Sequence, residues 1–120
     1  PLPCTSLVST LPDPLDVVIL GMGEDGHTAS LFPGSPALDE RHERVVAVTG
    51  PKPPFRRMTI TPPVIGSARD VFVLVVGAGK AATLARALEG PLDARSLPVQ
   101  LARSRTFLVD AAAASALARS

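Results

Sequence analysis

The run Asp16-Val-Val-Ile-Leu-Gly-Met-Gly-Glu-Asp-Gly-His-Thr-Ala-Ser-Leu-Phe-Pro-Gly34 constrains this chain more than any other feature. Val17–Leu20 is apolar without alternation, the pattern of a strand covered on both faces in a parallel sheet. It breaks at Gly21 into a loop that contains three glycines, an aspartate and a histidine. A strand that ends in a glycine-rich turn is where open α/β sheets hold their ligands. Gly21, Gly23 and Gly26 also satisfy the spacing of the dinucleotide fingerprint. That fingerprint needs a helix running on from its last glycine, to seat a pyrophosphate, and an acidic residue at the end of the next strand. Pro33-Gly34 stops any such helix within two turns, and Thr49-Gly50 follows the next strand, so dinucleotide binding is not expected.

Elsewhere the chain alternates strand and helix signals. Strands are expected over 45–48, 57–61, 71–76 and 106–109. Short helices are expected over 28–32 and 98–102, and longer ones over 62–68, 80–88 and 111–118, the last capped by Asp110. Residues 1–15, with Pro1, Pro3, Pro12 and Pro14, read as an extended lead-in. The alternation predicts an α/β fold: a partial, doubly wound, mostly parallel sheet with flanking helices, in a single domain spanning 1–120.

Composition narrows the function. Net charge is +1, which gives no electrostatic case for nucleic acid or an anionic membrane. No apolar run reaches the ~18 residues of a membrane span. A single cysteine, Cys4, forms no intrachain disulfide and suits a reducing, cytoplasmic setting. No His or carboxylate pair has metal-ligand spacing, so no metal and no cofactor is expected.

Two centres can carry chemistry. His27 is the side chain suited to accepting and returning a proton near neutrality. Asp25, two residues earlier, either orients that imidazole or bonds its own turn backbone. Lys80 closes Val76-Gly-Ala-Gly-Lys80, a strand-to-helix turn whose amides and ammonium suit a single phosphate. It lacks the spacing of a nucleotide-triphosphate loop. Arg57 can form a bidentate pair with phosphate. Ser30 lies in no nucleophile elbow, and His42 reads as plain surface.

The segment Gly21–Gly34 closely resembles the signature of the 6-phosphogluconolactonases. Arg57-x-Thr59-x-Thr61, Val76-Gly-x-Gly-Lys80, Leu97-Pro98 and Leu108-Val-Asp-x-Ala-Ala113 look like that family's later landmarks, in order. The resemblance implies hydrolysis of a small sugar-phosphate lactone, 6-phosphoglucono-δ-lactone, to 6-phosphogluconate, in the oxidative pentose phosphate pathway. His27 is then the general base, Asp25 its support, Lys80 and Arg57 the phosphate anchors, and Gly21, Gly23 and Gly26 the loop that shapes the site. It also implies that the chain corresponds to the family's C-terminal half, either as a fragment or in association with a partner that supplies the missing N-terminal half. Asp39-Glu-Arg41 matches that half's Asp-Glu-Arg segment only in letters, because it follows the histidine loop. Related aminosugar-phosphate deaminases carry Asn-Glu-Pro-Gly where Leu31-Phe32-Pro-Gly34 stands here, so a deaminase or isomerase would lack its acidic helper. A non-catalytic sugar-phosphate-binding module is the third reading.

Overall fold

In the computed structural model, which describes residues 10–118, three parallel strands form the main sheet. These are β1 (Val17–Gly21), β4 (Asp70–Val75) and β5 (Thr106–Val109), in the order β1-β4-β5. Val17 pairs with Asp70 and Gly21 with Leu74; Phe72 pairs with Thr106 and Val75 with Val109. The register brings the C-terminal ends of β1 and β4 side by side. Two further strands, β2 (Val45–Thr49) and β3 (Arg56–Ile60), form a separate antiparallel hairpin. The lead-in expected over 1–15 lies partly outside the described residues, and Cys4 lies wholly outside them.

Two α-helices connect these strands, α1 (Pro62–Ser67) and α2 (Ala81–Glu89). Pro62 and Pro63 occupy the first turn of α1, where no intrahelical amide donor is required. α2 buries Ala81, Leu84 and Ala87, every third residue, along one stripe. The core is aliphatic: Val18, Leu20, Val71, Val73 and Val75 meet Ile65, Leu84 and Val99. Fully burying each such side chain stabilises by roughly 1.5–3 kcal/mol. Pro98–Ala102 forms the expected short helix, as a 3-10 turn.

Three expectations need correcting. Residues 28–32 are not a helix. Ala29 has φ 52°, and Thr28 and Leu31 form a bridge. Tertiary bonds hold the segment in this non-helical shape: the Ser30 amide donates to Thr59 Oγ1, and Thr28 Oγ1 donates to the Gly21 carbonyl. The helix expected over 111–118 shrinks to a 3-10 turn, Ala113–Ala116, of which only Ala113 is buried. So short a segment needs tertiary packing to propagate as α-helix. Asp110 still caps it, accepting from the Ala113 amide at 2.8 Å.

The third correction concerns β1, which is not covered on both faces. Val18 and Leu20 point into the core, while Val17 and Ile19 are 52% and 67% exposed. Leu74, Val76 and Leu108 are exposed as well. The register puts Gly21, Leu74 and Leu108 in one row across the sheet, and Ile19 one pleat away on the same face.

Candidate active site

The loop after β1 is built around its histidine. The Gly23 amide donates to the His27 carbonyl and the Gly26 amide to the Gly23 carbonyl, both at 2.9 Å, which closes a tight turn. Asp25 points back across it. Its Oδ1 accepts from the His27 amide at 3.0 Å and lies 2.6 Å from the ring Nδ1. Both readings of Asp25 therefore hold at once: it caps its own turn and it pairs with the imidazole. Burial pushes the Asp25 carboxyl upward, but the hydrogen bonds from the His27 amide and ring, with the ring's attraction, outweigh this. The group titrates below the ordinary carboxylate value.

The pair fixes the chemistry of the ring. With a carboxylate at Nδ1, the neutral imidazole carries its proton there and leaves the Nε2 lone pair available. Among the described residues, Nε2 has no hydrogen-bond partner, and the side chain is 32% exposed. The glycines have distinct reasons. A Cβ at Gly23 would lie 2.2 Å from the ring Cε1, so the ring rests where a side chain would be. Gly26 has φ +88°, and its Cβ would meet Leu97 at 2.6 Å. Its carbonyl accepts from the Val99 amide, so Leu97-Pro98 buttresses the loop. Gly21 differs: a Cβ there meets nothing within 4 Å, so the described residues do not require a glycine.

Lys80 stands on the neighbouring strand end. Gly77, at φ +96°, turns the chain out of β4 into the 3-10 turn Ala78–Lys80, which runs directly into α2. The Asp110 carboxylate steadies this turn by accepting from the Gly77 amide. The amides of Ala113 and Gly77 hold Asp110 below its ordinary value. The two loops touch: Thr83 Oγ1 donates to the Glu24 carbonyl at 2.7 Å, and the Glu24 carboxylate lies beside Gly79. Glu24 thus joins the loops, a role its exposed, charged character did not suggest.

Arg57 reaches the site from the hairpin. Its Nε donates to the Pro54 carbonyl at 2.9 Å and its Nη2 to the Lys52 carbonyl at 3.1 Å. The edge that would grip an anion side-on is therefore engaged with backbone. The remaining donors, on Nη1 and part of Nη2, have no partner among the described residues. The guanidinium carbon sits 5.3 Å from the centroid of the Phe32 ring, and that ring lies 4.8 Å from the His27 ring. A cleft of about 940 Å³ between residues 32–37 and the hairpin shares Phe32 and Arg57 with the site, but neither His27 nor Lys80 lines it. The Ser30 amide is held by Thr59, and His42 is exposed. Among the described residues no cluster of three or more His, Cys, Asp or Glu could hold a metal, and no helix is long and apolar enough to cross a membrane.

These features define an α/β protein whose candidate site lies at the ends of two adjacent parallel strands, with an acid-paired histidine after one and a lysine turn after the other. The chain belongs to the family described as glucosamine-6-phosphate isomerases/6-phosphogluconolactonase, which matches residues 5–110. It is 50% identical over 105 residues to a rat (Rattus norvegicus) 6-phosphogluconolactonase, which covers 82% of this chain and 40% of the rat protein. It is 46% identical over 104 residues to the human (Homo sapiens) 6-phosphogluconolactonase, covering 82% of this chain and again 40% of the relative. The solved structure of a 6-phosphogluconolactonase from Trypanosoma brucei superposes with a TM-score of 0.77 at 34% identity, over 94% of this chain and 50% of that one. The chain therefore spans about 40% of the length of the curated relatives it matches.

Proposed function

We propose that this chain carries the proton-transfer centre for hydrolysis of 6-phosphoglucono-δ-lactone to 6-phosphogluconate. His27 Nε2 removes a proton from water as the oxygen attacks the lactone carbonyl. The tetrahedral intermediate collapses with cleavage of the bond between the carbonyl carbon and the ring oxygen. The imidazolium returns its proton to that oxygen, so one water is consumed and one hydroxy acid formed. Asp25 stabilises the imidazolium and holds the tautomer. Loop amides steady the oxyanion. Lys80, with the Nη1 side of Arg57, anchors the 6-phosphate, so that binding far from the reacting carbon aligns the carbonyl.

The observation that carries this reading is the 2.6 Å Asp25–His27 pair, set beside the turn that bears Lys80. Acid release from the lactone at constant pH, measured above the spontaneous rate, tests it. His27→Ala should lower the catalysed rate by about 10²–10⁴-fold. Unchanged turnover would remove His27 from the reaction. A deaminase reading is disfavoured by the phenyl group at position 32, which lies against the imidazole and neither takes nor gives a proton.

The domain organisation follows the same reading: the described residues, 10–118, belong to one α/β unit corresponding to the family's C-terminal half. Parallel sheets are buried on both faces. The exposed face that carries Ile19, Leu74 and Leu108 is then where polypeptide matching the rest of the family's length packs, supplied by the same or another chain. A cytoplasmic setting is proposed along with this metabolic role.

A further inference from the structure

His27 and Arg57 share one neighbour. The Phe32 ring lies 4.8 Å from the imidazole, tilted by 44°, and 5.3 Å from the guanidinium carbon. Phe32 is 8% exposed, although the side chain of the histidine it touches is 32% exposed. The hairpin grips this part of the loop at two points. Thr59 Oγ1 accepts from the Ser30 amide, and Arg57 lies against the ring. Arg57 is itself immobilised by the Pro54 and Lys52 carbonyls. It crosses Gly50 so closely that a Cβ there would lie 2.5 Å from Nε.

The imidazole thus has three fixed neighbours: the Gly23 backbone, the Asp25 carboxylate at Nδ1, and the Phe32 ring. A hydrogen bond at Nδ1 alone leaves the ring able to pivot about that contact. An aromatic side chain at tilted-stacking distance removes this freedom, and a cation on the aromatic ring holds the ring in turn.

The geometry points to Phe32, braced by Arg57, as a positioning residue that holds the His27 imidazole in the orientation where Nδ1 meets Asp25 and Nε2 stays open. Its effect on turnover rests on the hydrolytic reading above; its effect on the imidazole does not. Substitution Phe32→Leu keeps apolar volume but removes the ring, and Phe32→Tyr keeps the ring. Both are to be compared with the parent chain in a His42→Gln background, so that one histidine is observed by NMR.

Phe32→Leu should fold, yet shift the His27 ring-proton resonances and speed exchange of the Nδ1 proton. It should lower kcat about tenfold, with KM within about twofold. Phe32→Tyr should restore both readouts, and Arg57→Ala should move the resonances in the same direction by less. The proposal is overturned if Phe32→Leu leaves the His27 resonances as in the parent, or if Leu and Tyr shift them equally. Should the parent chain show no lactone hydrolysis, the hydrolytic reading fails while the resonances still decide the positioning role.

Discussion

Two glycine-rich turns leave adjacent strands of one sheet, and they are built to different tolerances. In the turn after β1, nearly every position is committed. Gly23 makes room for the imidazole, Gly26 needs φ +88° against Leu97, Asp25 bonds both the amide and the ring of His27, and Thr28 ties the loop back to Gly21. The turn after β4 is looser. Gly77 has φ +96° with open space around it, and Gly79 meets only the end of the flexible Glu24 side chain, at 3.6 Å. The difference matches the two tasks proposed for them. A general base must present one lone pair along one direction, whereas a phosphate is held by charge and by donors arriving from several directions.

The sharpest way to break this comparison is Gly23→Ala against Gly79→Ala. The first places a methyl group in the imidazole's position and should cost about 10²-fold in turnover by displacing Nε2. The second should leave kcat within about twofold, because its new methyl meets one adaptable carboxylate. Lys80→Ala should act mainly on binding. Loss of a charged phosphate contact worth about 1.5–3 kcal/mol raises KM roughly tenfold or more, in a steady-state titration with the lactone. Backbone strain separates the turns more gently. Gly77→Ala should destabilise by about 1 kcal/mol from its positive φ alone. Gly26→Ala should cost more, roughly 2–3 kcal/mol, because Leu97 must also move, and thermal melts of the two variants read the gap.

Acid should produce the smallest effect. Asp25 and Asp110 both titrate below their ordinary value of 3.8 in the folded chain. Their contribution to stability is complete above 3.8 and is lost as pH falls through the lower folded values. Melting temperature should therefore drop below about pH 4, and Asp25→Asn with Asp110→Asn should flatten that drop.

Much of the fold was legible in the sequence because three of its strands, β1, β2 and β4, are apolar runs closed by glycine. β4, with three valines in six residues, could hardly be mistaken, and Pro62-Pro63 marks the start of α1. The two helix misreadings both turn on residues distant in sequence, through bonds that are made in one case and packing that is missing in the other. Apolar spacing suggests a helix at 28–32, but bonds from Ser30 to Thr59 and from the Thr28 hydroxyl to Gly21, 29 and 7 residues away, hold the segment in another shape. Alanine content suggests a helix at 111–118, but too little of it is packed to propagate. The site divides in the same way. Asp25 and His27 are two residues apart, so their pairing is local and readable. Phe32 reaches His27 only because Ala29 adopts a left-handed conformation. Arg57 reaches Phe32 only because the hairpin folds over the loop. The Glu24–Thr83 link spans 59 residues, and no pattern in the chain marks it.

The central claim is that the first loop holds His27 in one tautomer. Long-range proton–nitrogen correlation of the His27 ring, at a pH where it is neutral, reads this directly. The proton should reside on Nδ1, with Nε2 unprotonated, and Asp25→Asn should disturb that state. A proton found on Nε2, or a spectrum unchanged by Asp25→Asn, would contradict the account.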